Sequence, residues 1–195
     1  MDRRQEASRS RRHNRNATGS PRRASLTFLT PWGWMGVSES SKGIDAIVLP
    51  KGSKRAIEAG LRKLSDEPLA PEGSPRLLAA RRQLLDYLAG KRDSFDVPID
   101  LSRGTPFRRR VWRTLQRVAY GKLRSYQWVA TRVGGRHYAR AVGNAVGENP
   151  LPIVIPCHRI VAHDASLGGF SGGLPMKRKL LTLEGTLAQL QRGRS

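Results

Sequence analysis

The sequence predicts a small α/β lobe over residues 25–100 and a mainly helical lobe over 101–190, preceded by a basic tail. Three observations carry this reading. Two short apolar runs, "WGWMGVSES" and "GIDAIVLP", flank a polar turn and lead into a helical pattern. Ser74-Pro75 and Thr105-Pro106 each stand as a helix cap and first helical residue. Gly134-Gly135 separates two short helical segments in the manner of a helix-turn-helix.

Residues 1–24, "MDRRQEASRSRRHNRNATGSPRRA", carry eight arginines and two acids with almost no large apolar side chain. Such a stretch cannot offset the entropy of ordering, so it reads as a disordered electrostatic arm. A mitochondrial presequence shares the Arg and Ser richness, but this stretch has no apolar face. Folding signals begin near Leu26. The two apolar runs read as strands around Ser40–Gly43, and "SKRAIEAGLRKL" reads as a helix after Ser53. After Ser74-Pro75, Leu77, Leu78, Leu84, Leu85 and Leu88 mark a helix, with Gly90 where a C-terminal cap belongs. Pro98–Gly104 reads as a connection between lobes. Beyond it, Phe107, Val111, Leu115 and Val118 form one apolar helix face, with Arg108, Arg109, Arg110 and Arg113 around the rest. A solvated face accounts for those arginines as well as a ligand does.

The helix-turn-helix segments run over about 125–133 and 137–146. The second is thin on part of its surface, with Ala139, Ala141, Gly143 and Ala145, while Arg140 projects from it. Small residues suit either close approach to a nucleic-acid groove or close packing on another helix, and the sequence leaves both open. "LPIVIP" then reads as a short buried strand, ended by Pro156, which places Cys157 at a strand terminus.

The 36 Lys and Arg against 15 Asp and Glu give a net charge of +21 over 195 residues. That imbalance fits a polyanion partner, nucleic acid first, far better than a small metabolite. No run approaches the roughly 18 apolar residues of a membrane span, and no secretory core follows the start, so a soluble intracellular protein with no membrane contact is expected. Cys157 is the only cysteine, which excludes an internal disulfide and a Cys-rich zinc site. The four histidines lack ligand-like spacing, and no metal is expected. A lone cysteine usually fills space as a small apolar group. Here His158 and Arg159 follow it, the kind of company that lowers a thiol pKa. Neighbours on a strand point to opposite faces, so adjacency does not by itself pair His158 with the thiol; a relay through water would be one solution.

"IPCHRIV", together with "SYQ" and "ARAVGNAVGENPLP" upstream and "GGFSGGLPMKRKLLTLEG" downstream, resembles the O6-alkylguanine-DNA alkyltransferases. The likeness is strongest over about 103–185. It implies an RNase H-like N-terminal lobe and a C-terminal alkyltransferase lobe with a winged helix-turn-helix, residues 164–174 being the wing. It also implies transfer of an alkyl group from O6-alkylguanine in double-stranded DNA to the protein's own cysteine, once per molecule and without a cofactor. Cys157 would be the acceptor, His158 its base through water, Glu184 the partner of that histidine, and Asn149 the holder of the turn. Tyr126 would donate to the leaving guanine, and Ser171 would donate near O6. The backbone at Cys157 and Ile160 would read the exocyclic amine, with Phe170 as an aromatic wall. Arg140 would fill the gap left by the rotated nucleotide, and the helix carrying Ala139, Ala141 and Gly143 would enter the minor groove. Ser125, Arg159 and Lys177 complete the expected substrate- and DNA-binding set. A monomer associated with DNA is implied, in cytoplasm or nucleoid in a prokaryote and in the nucleus in a eukaryote; cooperative loading stays open.

Departures from the family pattern are few. Phe170 replaces a tyrosine found in many relatives, Tyr138 is bulky where several are small, and Glu148 puts a negative charge near the expected DNA face. A sensor of alkylated DNA that does not repair it, and a helix-turn-helix transcription regulator with a structural cysteine, remain the alternatives.

Overall fold

The structure, a computed structural model, describes residues 23–64, 69–71, 74–164 and 166–192. The expected disordered arm over 1–22 lies outside the described residues. Residues 23 and 24, grouped with that arm by composition, are instead the start of β1 (Arg23–Thr30). Along β1, Phe28 is buried and Leu29 exposed, the alternation of a strand with one face on a core.

β1 turns through Pro31-Trp32 into β2 (Gly33–Glu39), and Thr30 ties the hairpin by donating to Gly33 O at 2.8 Å and accepting from Trp32 N at 3.0 Å. β3 (Ile44–Lys51) follows, as the apolar run predicts. With the short β4 (Leu69–Pro71), the sheet order is β3-β2-β1-β4, antiparallel except for the parallel β1–β4 pair. Helix α1 (Lys54–Lys63) starts where Ser53 accepts from Ala56 N, and it lays Ile57 and Leu61 over Gly36 of β2. A side chain at Gly36 would collide with both, so the glycine sets the depth of the helix on the sheet. Helix α2 (Pro75–Leu88) begins with Ser74 accepting from Leu77 N and buries Leu77, Ala80, Leu84, Tyr87 and Leu88.

The expected interlobe connection is fastened to the sheet. Ile44 N donates to Pro98 O at 2.9 Å and Asp100 N to Ile44 O at 2.8 Å. Then α3 (Pro106–Leu115), capped by Thr105, packs with α4 (Tyr126–Val133) and α5 (Ala139–Gly147). The indole of Trp112 donates to Ala145 O at 2.7 Å, locking α3 to α5. The α4–α5 turn passes through Gly134 at φ +151°, a value that favours glycine, and a 3₁₀ turn at Arg136–Tyr138. A two-residue parallel pair, β5 (Arg124–Ser125) with β6 (Ile160–Val161), is followed by α6 (Leu174–Leu183) and α7 (Leu187–Arg192). One apolar cluster runs from Phe28 and Met35 in the sheet through Tyr87 to Val111, Val142, Ile155 and Leu180. The molecule is therefore mixed α/β, with its sheet and helical parts sharing a core.

"LPIVIP" departs from expectation. It forms a tight turn, with only an isolated bridge between Pro152 and Ile155, and Ile153 sits at φ +79°. The run is apolar because the turn is buried, and burial alone does not distinguish a turn from a strand.

Candidate active site

Asn149 builds the turn that presents the thiol. Its Oδ1 accepts from Leu151 N at 3.0 Å, and its Nδ2 donates to Ile155 O at 2.8 Å, closing the loop from both sides. The same Nδ2 lies 3.0 Å from Cys157 Sγ and donates to it. Cys157 opens a 3₁₀ turn, Cys157–Arg159, rather than ending a strand. This tight turn lets consecutive residues point to different parts of one site. The thiol is 1% exposed. Burial pushes its pKa up to about 11, against the downward pull of the Asn149 N–H and the Lys177 charge. The lowering expected from Arg159 is not what this environment does, because that guanidinium is committed elsewhere.

His158 is fully buried, with Nε2 2.8 Å from Glu184 Oε1. Burial lowers the pKa of His158, while the Glu184 hydrogen bond and charge work to raise it. Glu184 caps the end of α6. Burial acts to raise its pKa, but hydrogen bonds and charge from His158 and Arg159 hold it down to about 2. Arg159 donates from Nε to both carboxylate oxygens at 3.1 and 3.0 Å, from Nη2 to Oε1 at 2.9 Å, and from Nη1 to Val118 O at 2.6 Å. Gly121 N adds a 3.4 Å donor to Oε2. The carboxylate is thus ionised and fixed. Among the described residues, His158 Nδ1 is buried without a hydrogen-bond partner. With Nε2–H donating to Glu184, Nδ1 carries the lone pair of a base.

The β5–β6 pair joins this turn to the helix-turn-helix. Arg124 pairs with Ile160 and Ser125 with Val161, so α4 begins beside the thiol turn. Ser125, expected in the DNA-binding set, is the α4 N-cap and accepts from Trp128 N at 3.1 Å. Tyr126 follows it, half-buried. Burial raises the phenol pKa, and Cys157, when ionised, raises it further. Its hydroxyl donates to Gly169 O at 3.3 Å. Gly168, at φ +64°, lets that backbone pass against the ring, since a Cβ there would sit 2.9 Å from Tyr126 Cε2.

Two residues of the expected binding set are not at a ligand surface. Arg159 is buried on Glu184, as described. Lys177 has no exposed area, and its Nζ donates to Ile160 O at 2.5 Å, to Leu167 O, and to Gly169 O at 3.4 Å. Burial lowers its pKa to about 8, with the Cys157 charge working the other way. Both were placed among ligand contacts with the rest of the set that the resemblance implies. Internal carbonyls and a carboxylate claim them instead. Ile160 O accordingly spends one lone pair on Lys177. Phe170 is half-buried against the core, and Ser171 is exposed, its hydroxyl without a hydrogen bond among the described residues.

Helix α5 divides its small residues between two faces. Val142, Ala145 and Val146 face the core, whereas Ala139, Arg140 and Ala141 are exposed. A Cβ on Gly143 would meet nothing within 4 Å. Its small residues therefore lie mostly on an open face, Ala145 excepted. Tyr138 packs on Phe107 at 5.7 Å and covers the start of the helix, and Glu148 is ion-paired with Arg108. Arg109, Arg110 and Arg113 of α3, with Arg117 just beyond it and Arg132 of α4, line one concavity; Arg109 is half-buried and Arg110, Arg113 and Arg117 are exposed.

Tyr87 is the residue that sequence reasoning missed. It lies on the apolar stripe of α2 at helical spacing from Leu77, Ala80 and Leu84, where it reads as core. Its hydroxyl nevertheless donates to Glu184 Oε1 at 2.5 Å and lies 3.3 Å from His158 Nε2.

Comparison with known proteins agrees with this geometry. The profile described as "6-O-methylguanine DNA methyltransferase, DNA binding domain" matches residues 106–186. A methylated-DNA–protein-cysteine methyltransferase of Mycolicibacterium paratuberculosis is 49% identical over 112 residues, 57% of this chain and 67% of that protein. The match to the Mycobacterium bovis protein covers 61% of its length. The Methanosarcina acetivorans protein of that name is 35% identical over 159 residues, 82% of this chain and 96% of its own. Among solved structures, the Mycobacterium tuberculosis OGT in complex with DNA has a TM-score of 0.69 at 34% identity, over 83% of this chain and 92% of that one. The O6-methylguanine-DNA methyltransferase of Pyrococcus kodakaraensis has a TM-score of 0.67 at 28% identity, over 84% and 99%. With its thiol turn, its relay and these relatives, this chain belongs to the methylated-DNA–protein-cysteine methyltransferase family.

Proposed function

We propose that this protein repairs alkylated DNA by moving an alkyl group from O6 of guanine in a duplex onto its own Cys157. The observation that carries the reading is a buried thiol next to a buried base, His158, whose Nε2 is held by Glu184 and whose Nδ1 has no partner among the described residues. With burial pushing the thiol pKa up to about 11, the neutral thiol dominates at neutral pH, so a base is required. The thiol proton passes through a water to His158 Nδ1. The sulfur pair attacks the alkyl carbon, an S–C bond forms as the C–O6 bond breaks, and the released pair stays on guanine, which takes up a proton. Glu184 stabilises the imidazolium, and Tyr126 donates toward the purine as its charge develops. The thioether product has no hydrolysable bond, so each molecule acts once.

A stacked guanine hides its O6, so the nucleotide rotates out of the duplex and Arg140 occupies the gap. The open face of α5, with Ala139, Ala141 and Gly143, suits entry into a minor groove. Phe170 walls the base, Ser171 donates near O6, and the remaining lone pair of Ile160 O faces the exocyclic amine. On this reading α4, α5 and residues 164–174 are a winged helix-turn-helix within an alkyltransferase domain over 101–190. The sheet with α1 and α2 is an RNase H-like domain over 25–100. The protein works as a DNA-associated intracellular monomer.

Incubation with O6-methylguanine duplex followed by intact mass measurement tests this. A gain of one methyl mass, mapped to Cys157 and absent from Cys157→Ala, is expected. Tight binding with unchanged mass would overturn it.

A further inference from the structure

We infer that Tyr87, reaching in from helix α2, is a positioning residue that fixes the tautomer of His158 and so selects Nδ1 as the base beside Cys157. This rests on the alkyl-transfer reading and deepens it. The inference follows from counting protons at one oxygen. Glu184 Oε1 only accepts, so the 2.5 Å contact with Tyr87 spends the single hydroxyl proton of Tyr87. The hydroxyl oxygen also lies 3.3 Å from His158 Nε2. With its proton committed to Glu184, that oxygen can meet Nε2 only as an acceptor, and Nε2 must carry the hydrogen. Glu184 Oε1, 2.8 Å from the same nitrogen, demands the same. Two acceptors on Nε2 leave the neutral ring with its lone pair on Nδ1, the nitrogen without a partner.

The surroundings leave Tyr87 no other role for its hydroxyl. The side chain is fully buried, its ring is set against Phe95 at 5.5 Å and edge-on to Tyr120 at 6.1 Å. Around the relay, Arg159 grips Glu184, Lys177 acts on His158 at longer range, Asp93 acts on Tyr120, and the Tyr120 hydroxyl donates to Leu183 O at 3.1 Å. Tyr87 is thus a phenol serving the relay from the sheet-side lobe. A purely apolar role would be filled as well by phenylalanine, which has no hydroxyl to pin the carboxylate.

The test is Tyr87→Phe in the full chain, which keeps the ring and removes the oxygen. Nitrogen NMR of the His158 imidazole should show the Nε2–H form in the parent and a detectable rise of the Nδ1–H form in the variant, where Glu184 alone is left to hold the proton on Nε2. The rate of Cys157 alkylation by O6-benzylguanine at neutral pH should fall roughly tenfold. In a Glu184→Gln background the same substitution should cost much less than in the parent, because both act on one nitrogen. Unchanged tautomer populations, or losses that simply multiply in the double variant, would overturn the inference and leave Tyr87 as packing. If the parent itself fails to react with O6-benzylguanine while its His158 shows the Nε2–H form, the alkyl-transfer reading fails and the tautomer assignment stands. Tyr87→Leu, which removes ring and oxygen together, separates folding from positioning. Its unfolding midpoint should drop well below that of Tyr87→Phe, while its tautomer mixture matches that variant; a tautomer population like the parent's would again overturn the inference.

Discussion

The side-chain amide of Asn149 bonds Ile155 O at 2.8 Å and Cys157 Sγ at 3.0 Å from the same nitrogen, so one group both shapes the turn and touches the nucleophile. Asn149→Ala removes both effects. Leu151 N and Ile155 O then lose their buried partner, at about 1–3 kcal/mol each. The thiol also loses a donor that favours its ionised form, so its pKa should rise above the parent value. Urea unfolding and the pH dependence of iodoacetamide alkylation measure the two consequences separately.

Glu184 gives a second prediction, with a definite sign. Its folded pKa, near 2, lies below its ordinary 4.5, so its contribution to stability is full above about pH 4.5 and is lost as pH falls toward 2. The shift corresponds to about 3 kcal/mol. The stability difference between the parent and Glu184→Gln should therefore shrink between pH 5 and pH 2 in denaturant titrations. At neutral pH the variant should alkylate at least about a hundredfold more slowly, since the imidazolium loses its counter-charge.

Arg140 is exposed on α5 and outside the relay. Arg140→Ala should slow repair of O6-methylguanine in duplex DNA by an order of magnitude or more, and leave alkylation by free O6-benzylguanine within about twofold, because only the duplex requires extrusion. Single-turnover rates on the two substrates compare them directly; equal slowing would remove Arg140 from the extrusion step.

Lys177 holds Ile160, Leu167 and Gly169 by their carbonyls and helps to lower the Cys157 pKa. Lys177→Met should raise the thiol pKa and free the 167–169 backbone. The alkylation pH profile should shift to higher pH, and hydrogen exchange should quicken across 166–170. An unchanged profile would show that the ammonium acts on the loop alone.

Much of this was legible in the sequence. Ser53, Ser74 and Thr105 announce their helices through cap chemistry that needs only neighbouring residues, and each cap forms as read. The thiol turn was placed correctly but misread as a strand, because its apolar residues report burial and its geometry is set by Asn149. Strand β1 went unread because the alternation of Ala24, Leu26 and Phe28 with Ser25 and Thr27 is short and is broken by exposed Leu29 and buried Thr30. Arg159 and Lys177 were expected among the ligand contacts, and only the fold shows which carbonyls and carboxylate surround them. Tyr87 was hidden for the opposite reason: its spacing on α2 is that of packing, and its partners stand 71 and 97 residues away in the chain.

Ile153 shows how the reactive loop keeps its shape. It is the one described non-glycine residue at positive φ, a posture costing a branched side chain on the order of 1–3 kcal/mol, and it is also 1% exposed. Sinking that side chain into the interior returns a comparable amount. The most contorted link in the loop is thus also its deepest anchor, and the backbone cannot relax there without uprooting it. An acceptor sulfur gains from such a latch, since it stays aimed without any rearrangement of the loop.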